Sequence, residues 1–322
     1  MSYQVLSIVL PVFILIGLGY LAAKLGILSE SVGEALGQYV FVVGIPVLLF
    51  KTLAVLQLQD ENPWALWGAY FSGVAVISVL AHTIIRVVFK RDARAGVIGA
   101  ISAAFANTVM VGLPLISSVY GEEGLTPLLI LLSVHLPTLT VFIAISMERA
   151  ATHDGVGENP DLLGLLANIV KRLMQNPIII GILCALAWRM TGLPVQGIFK
   201  TVLDQIAATA LPVALFSLGM SMVLYGIRGN ILPGLVLSTL KTMVMPAVVF
   251  VFCAYVFHLS PLWTAVATIT AASPTGVNAY IFANRYGTGH AMSANAITIT
   301  TGFAVVTSGI WVTLMELWRA TQ

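Results

Sequence analysis

The sequence predicts an all-α integral membrane protein of ten transmembrane helices. They are arranged as two inverted five-helix repeats, with the fourth and ninth helices broken near their middles. Three observations predict this. Of 322 residues, 59% are hydrophobic and only 9% charged; soluble domains run near roughly 25% charged, so most of this surface must meet lipid. The chain also repeats itself: Pro11 returns as Pro177, Gly26 as Gly192, Pro46-Val47-Leu48-Leu49-Phe50 as Pro212-Val213-Ala214-Leu215-Phe216 and Tyr120-Gly121 as Tyr286-Gly287, each 166 residues later. Finally, Asn, Gly and Pro interrupt two apolar runs at corresponding places in the two halves.

A helix needs roughly 20 mostly apolar residues to cross about 30 Å of hydrocarbon. The first span covers 4–23; no basic residue precedes it and Lys24 follows it, so it reads as a retained helix rather than a cleaved signal. The second, 35–56, begins beside Gly33-x-x-x-Gly37, a pattern that permits close helix approach. The third, 64–89, holds His82 and ends among Arg86, Lys90 and Arg91. The fourth and fifth cover 96–119 and 126–147, and the short sixth covers 174–190. The seventh to tenth cover 205–225, 233–257, 262–284 and 291–317. Residues 150–173, with His153, Asp154, Glu158, Asn159, Pro160 and Asp161, are the longest polar stretch. They separate a first repeat, 1–149, from a second, 174–322, as a cytoplasmic linker.

Charge orients the stack. With the N-terminus outside, the inner ends collect Lys24, Arg86, Lys90, Arg91, Arg94, Arg149, Lys171, Arg172, Arg228 and Arg285, while the outer ends hold only Lys51, Arg189, Lys200 and Arg319. The positive-inside rule favours this arrangement, which leaves both termini outside. An odd number of spans per repeat inserts the second half upside down relative to the first.

The interrupted spans carry the functional signal. One reads Asn107-Thr108-Val109-Met110-Val111-Gly112-Leu113-Pro114, the other Ser273-Pro274-Thr275-Gly276-Val277-Asn278-Ala279. Pro removes a helical hydrogen bond and Gly weakens the helix. Broken helices at matched positions of two repeats point to a midplane binding site. The freed N–H ends suit an anion such as a carboxylate, and the freed carbonyl ends suit a cation. Asn107, Thr108, Gly112, Pro114, Ser273, Pro274, Thr275, Gly276 and Asn278 are therefore the candidate substrate-binding residues. Lys241, a third of the way into the eighth span, either snorkels to the inner surface or faces the core and attracts an anion. His135, two residues before Pro137, is the candidate coupling or proton site, because intramembrane ionisable groups are rare and costly. Thr298, Thr300 and Thr301 offer hydroxyls that equally suit their own helix backbone.

The string from Asn107 to Leu115 followed by Tyr120-Gly121 closely resembles the fourth-span motif of the auxin efflux carrier family, which includes plant PIN carriers and bacterial permeases annotated for malonate and related acids. Leu211-Pro212-Val213-Ala214-Leu215-Phe216-Ser217-Leu218-Gly219-Met220 resembles its seventh-span motif, and Pro274-Thr275-Gly276 with Tyr280-Ile281-Phe282-Ala283 its ninth. The resemblance covers the whole chain. It implies that helices four and nine cross at the midplane at the substrate site. It also implies that helices 1, 2, 6 and 7 form a scaffold, often a homodimer panel, around a moving core of helices 3–5 and 8–10. Two departures, Ala279 where plant carriers have a second proline and a linker of only about 24 residues, point to a bacterial-type permease.

The expected function is a secondary carrier for a small organic anion in the cell inner (plasma) membrane, working by alternating access or an elevator-type motion. The alternative is a ligand sensor or channel of the same fold. No His-Glu-x-x-His, mid-membrane acid pair or Cys-x-x-Cys suggests an enzyme, and no basic block suggests nucleic acid. No cofactor or metal is expected, with Na+ or H+ as coupling ions. All 13 acidic residues fall near span ends or in loops, so a sodium site would have to use Asn, Ser, Thr and backbone carbonyls. Cys184 and Cys253 lie in apolar runs and read as buried thiols.

Overall fold

The structure is a computed structural model describing residues 3–55, 62–156, 173–227 and 229–322, with Gly164, Ala167, Val170 and Lys171. Arg172, Arg228 and the linker residues Glu158, Asn159, Pro160 and Asp161 lie outside the described residues. Within them the regular structure is helical: α1 (Tyr3–Lys24), α2 (Glu30–Ala54), α3 (Pro63–Val88), α4 (Ala93–Ala104), α5 (Thr108–His153), α6 (Pro177–Thr191), α7 (Gly197–Tyr225), α8 (Ile231–Val256), α9 (Pro261–Ala272), α10 (Asn278–Tyr286) and α11 (His290–Arg319). Of these α1, α2, α3, α5, α7, α8 and α11 are long and apolar enough to cross a membrane, and α4, α6 and α9 are shorter apolar helices. Among the described residues the protein is thus all-helical, with the long apolar helices of an integral membrane protein.

Local chemistry explains where the helices start and turn. Asn62, Asn176 and Asn230 each cap a helix by accepting the N–H two residues on, from Trp64, Ile178 and Leu232. Asp92 and Ser260 cap α4 and α9 through the N–H groups of Ala95 and Trp263. α5 bends at Gly121, whose φ of 60° and ψ of −145° no side chain would tolerate without strain. This bend separates the regions expected as the fourth and fifth spans. The helix then continues to His153, so the linker begins later than residue 150.

The landmarks recur between the halves, but not at one offset. Left-handed turns at Gly26 and Gly192, and positive-φ glycines at Gly121 and Gly287, keep the spacing of 166. Between them the matching features stand 168 apart: the caps Asn62 and Asn230, the positive-φ residues Lys90 and His258, and the bounds of α4 and α9. The first half regains its two residues between its break and Gly121, where α5 opens with a wide π-turn over Thr108–Gly112. Such turns accommodate extra residues within a helix.

Close packing holds the bundle. α1 lies against α7 with backbones touching: a Cβ on Gly19 would sit 2.0 Å from the carbonyl oxygen of Phe216, and one on Gly219 would sit 1.9 Å from that of Ile16. Small residues at crossings are how membrane helices gain van der Waals contact. The Gly33-x-x-x-Gly37 motif also faces α7, with Gly33 against Met220 and Gly37 near Ser217. Ile77, Ile98, Leu131, Val249 and Ala267 belong to an interior cluster joining α3, α4, α5, α8 and α9. Cys253 is buried, but Cys184 is exposed on the outer side of α6 beside Leu183, which corrects the expectation of two buried thiols. An apolar neighbourhood in sequence does not distinguish the interior from a lipid-facing surface.

Candidate substrate site at the helix breaks

The interruptions fall at Phe105–Asn107, between α4 and α5, and at Ser273–Val277, between α9 and α10. The first lies upstream of Gly112 and Pro114. Pro114 lies inside α5, just past the π-turn Thr108–Gly112, rather than at the break. The second contains Pro274 and Gly276 themselves. The two extended segments run antiparallel and touch: Asn107 N–H donates to Pro274 O and Gly276 N–H donates to Phe105 O, both at 2.8 Å. Each break therefore supplies partners to the other, as polar backbone in an apolar interior requires. A Cβ on Gly276 would press on the Phe105 ring at 3.1 Å.

Side chains reach one carbonyl at each of the two helix ends that the breaks create. Thr275 Oγ1 donates to Ser102 O in the last turn of α4 at 2.8 Å, and the Thr275 N–H donates to Thr300 Oγ1 at 3.0 Å. Lys241 Nζ donates to Ala271 O in the last turn of α9. Lys241 is fully buried, so it does not snorkel, and it faces this helix end rather than an open cavity. Ser273 is buried, with its hydroxyl donating to Ile269 O at 3.4 Å, and a Cβ on Gly112 would meet that hydroxyl at 3.2 Å. None of Gly112, Pro114, Ser273, Pro274, Thr275 and Lys241 lines the cavity beside the two breaks.

The N–H ends are different. Asn107 Oδ1 accepts from Met110 N at 3.3 Å, yet Asn107 Nδ2 is buried with no partner. An unpaired amide at 7% exposure is costly, and its natural complement is an acceptor from outside the protein. A cavity of about 370 Å³ opens beside it, lined by Asn107, Thr108, Gly276 and Asn278. His135 also lines it, with Nε2 3.4 Å from the Tyr70 hydroxyl. The rest of the wall is apolar and includes Phe41 of α2 and Ile178 of α6. Sequence reasoning missed these two, since nothing marks one apolar residue among many. Gly37, noted only as a packing glycine, lines both this cavity and an adjoining one of about 300 Å³. The adjoining cavity reaches Glu30 and Glu34 at the start of α2 and shares Met110 and Val277 with the first.

Comparison with known proteins is consistent across the chain. Residues 4–312 match the family described as membrane transport protein. An uncharacterised transporter of Methanothermobacter thermautotrophicus is 24% identical, covering 94% of this chain and 96% of its own. A provisionally named malonate transporter of Rhizobium meliloti is 22% identical over 94% and 93%, and the auxin efflux carrier component 8 of Arabidopsis thaliana is 23% identical over 88% and 90%. The chain belongs to the membrane transport protein family, the family of the auxin efflux carriers.

Proposed function

We propose that this protein is a secondary carrier for a small organic anion, with a carboxylate docking at the contact between the two helix breaks. The observation that carries the reading is the unpaired Asn107 Nδ2 at the cavity, beside the half-buried amide of Asn278 and the start of α5. Both amides donate to the carboxylate, and the N-terminal dipole of α5 favours its charge. The provisional malonate assignment of one relative supports this substrate class. The recurring caps and positive-φ turns support two inverted five-helix repeats with ten spans. In this reading α1, α2, α6 and α7 form a scaffold, paired with that of a second copy, and the remaining helices form a core that moves the site between the two membrane faces. Both termini lie outside, in the plasma membrane.

Of the two coupling ions, the geometry favours the proton. Lys241 and Thr275 each take one of the carbonyls that a sodium ion would use, those of Ala271 and Ser102, whereas His135 lines the cavity. A thermal-unfolding screen of the purified protein against mono- and dicarboxylates, with and without sodium, tests the reading. Ligand binding to the folded state raises the melting temperature. We expect one acid to do so equally in both media. No rise with any acid would contradict the anion site, and a rise that needs sodium would contradict the proton assignment.

A further inference from the structure

A second groove lies away from the helix breaks, between the ends of α3 and α5 and the flank of α4. It encloses about 350 Å³. Two helical stripes build it. On α3, Ser78, His82 and Arg86 follow at four-residue steps, and on α5, Phe142, Ser146, Arg149 and His153 repeat at three- and four-residue steps, so each set shares one face. His82 and Arg86 can lie down into the groove because α4 offers Gly96 there: a Cβ on it would meet the His82 ring at 2.8 Å and Arg86 Cγ at 3.0 Å.

Its charge is unbalanced. Neither Arg86 nor Arg149 has an ion pair among the described residues. Asp154, the residue after the groove's His153, is engaged elsewhere. It accepts the N–H groups of Ala93 and Arg94, both at 3.0 Å, and pairs with the Arg94 Nε at 3.3 Å. His153 stands 3.5 Å from the same carboxylate. The other half of the groove is apolar and open: Val79 is 67% and Phe142 44% exposed, on a protein whose sides meet lipid. Two free guanidinium groups and a serine hydroxyl at the end of an apolar trough match one ligand chemistry, a phosphate attached to hydrocarbon chains.

We propose that this groove seats the headgroup phosphate of an anionic phospholipid from the adjacent leaflet, with Arg86 and Arg149 as its clamp and an acyl chain along Val79 and Phe142. A purely structural role is the competing account, because cations near the carboxyl ends of α3 and α5 also favour the helix dipoles. That role would not depend on lipid.

Thermal unfolding of the full chain in detergent separates the two. We expect phosphatidylglycerol to raise the melting temperature by several degrees and phosphatidylcholine to leave it nearly unchanged. The rise should vanish in the double variant R86Q/R149Q while persisting in K90Q/R91Q, which changes neighbouring charges outside the groove. Glycerol 3-phosphate should give no rise; a full response to it would replace the lipid with a soluble phosphate. If R86Q/R149Q melts lower without lipid yet keeps the phosphatidylglycerol response, the arginines are structural and the proposal fails. An independent reading leaves the arginines in place: Phe142→Trp should be quenched by brominated phosphatidylglycerol more than by brominated phosphatidylcholine, and equal quenching overturns the proposal.

Discussion

Lys241 illustrates how a single residue acquires a role that sequence leaves open. Its position in an apolar run allowed a snorkelling cation or a core one, and the structure has it fully buried, donating to the Ala271 carbonyl that the break in α9 sets free. Lys241→Met keeps much of the volume and removes the donor, leaving that carbonyl unpaired. We expect a loss of about 1–3 kcal/mol, the usual cost of an orphaned buried polar group. Thermal unfolding measures it, and an unchanged or raised melting temperature would show that removing a desolvated charge outweighs the lost bond. At this scale the sequence was partly legible. Asn107 and Asn278 stood out because amides are rare in apolar spans, and both line the cavity. Phe41 and Ile178 did not, because they come from distant helices and differ from their neighbours only in where they point.

At the scale of elements, the breaks were visible as Asn, Gly and Pro in matched runs, but their positions were not. In the first half the helix yields at Phe105–Asn107, before Gly112 and Pro114, because the partner segment at Pro274 and Gly276 supplies hydrogen bonds there. A tertiary contact thus chooses among several weak points. The α1–α7 crossing makes a similar demand. Gly219→Ala would drive a methyl to 1.9 Å from the Ile16 carbonyl, so its cost should exceed the roughly 1–3 kcal/mol typical of overpacking. Gly17→Ala, with nothing within 4 Å of the added carbon, should be nearly neutral. Equal stability of the two variants would refute the crossing. Asp154 joins the end of α5 to the start of α4. Partial burial pushes its carboxyl upward, but hydrogen bonds from the Arg94 and Ala93 N–H groups, His153 and the Arg94 side chain outweigh this and hold it below the usual carboxylate range. A lowered folded pKa contributes stability above the unfolded value of about 3.9, lost as pH falls through the folded one. Asp154→Asn should therefore reduce stability near neutrality and flatten its decline in acid. A parallel acid decline in variant and parent would contradict the role.

At the scale of the whole molecule, composition alone placed the chain in a membrane, because so few charges cannot cover a wet surface. The glycines that recur in sequence, Gly26 with Gly192 and Gly121 with Gly287, do mark matching positive-φ turns. The 168 spacing of other landmarks was not legible, because Asp92 and Ser260 cap with different side chains and Asn62 and Asn230 are single matching residues in otherwise different surroundings. What the assembled molecule adds is the meeting of the two breaks, with Asn107 and Asn278 lining one cavity beside it.

Counterflow in proteoliposomes loaded with the unlabelled small carboxylate that raises the melting temperature tests the central claim most directly. The account predicts saturable accumulation of the labelled acid by the parent protein. It predicts at least about a tenfold loss in Asn107→Ala and in Asn278→Ala, since a hydrogen bond to a charged group is worth about 1.5–3 kcal/mol, with both variants unfolding near the parent temperature. Parental counterflow in both variants would contradict the account.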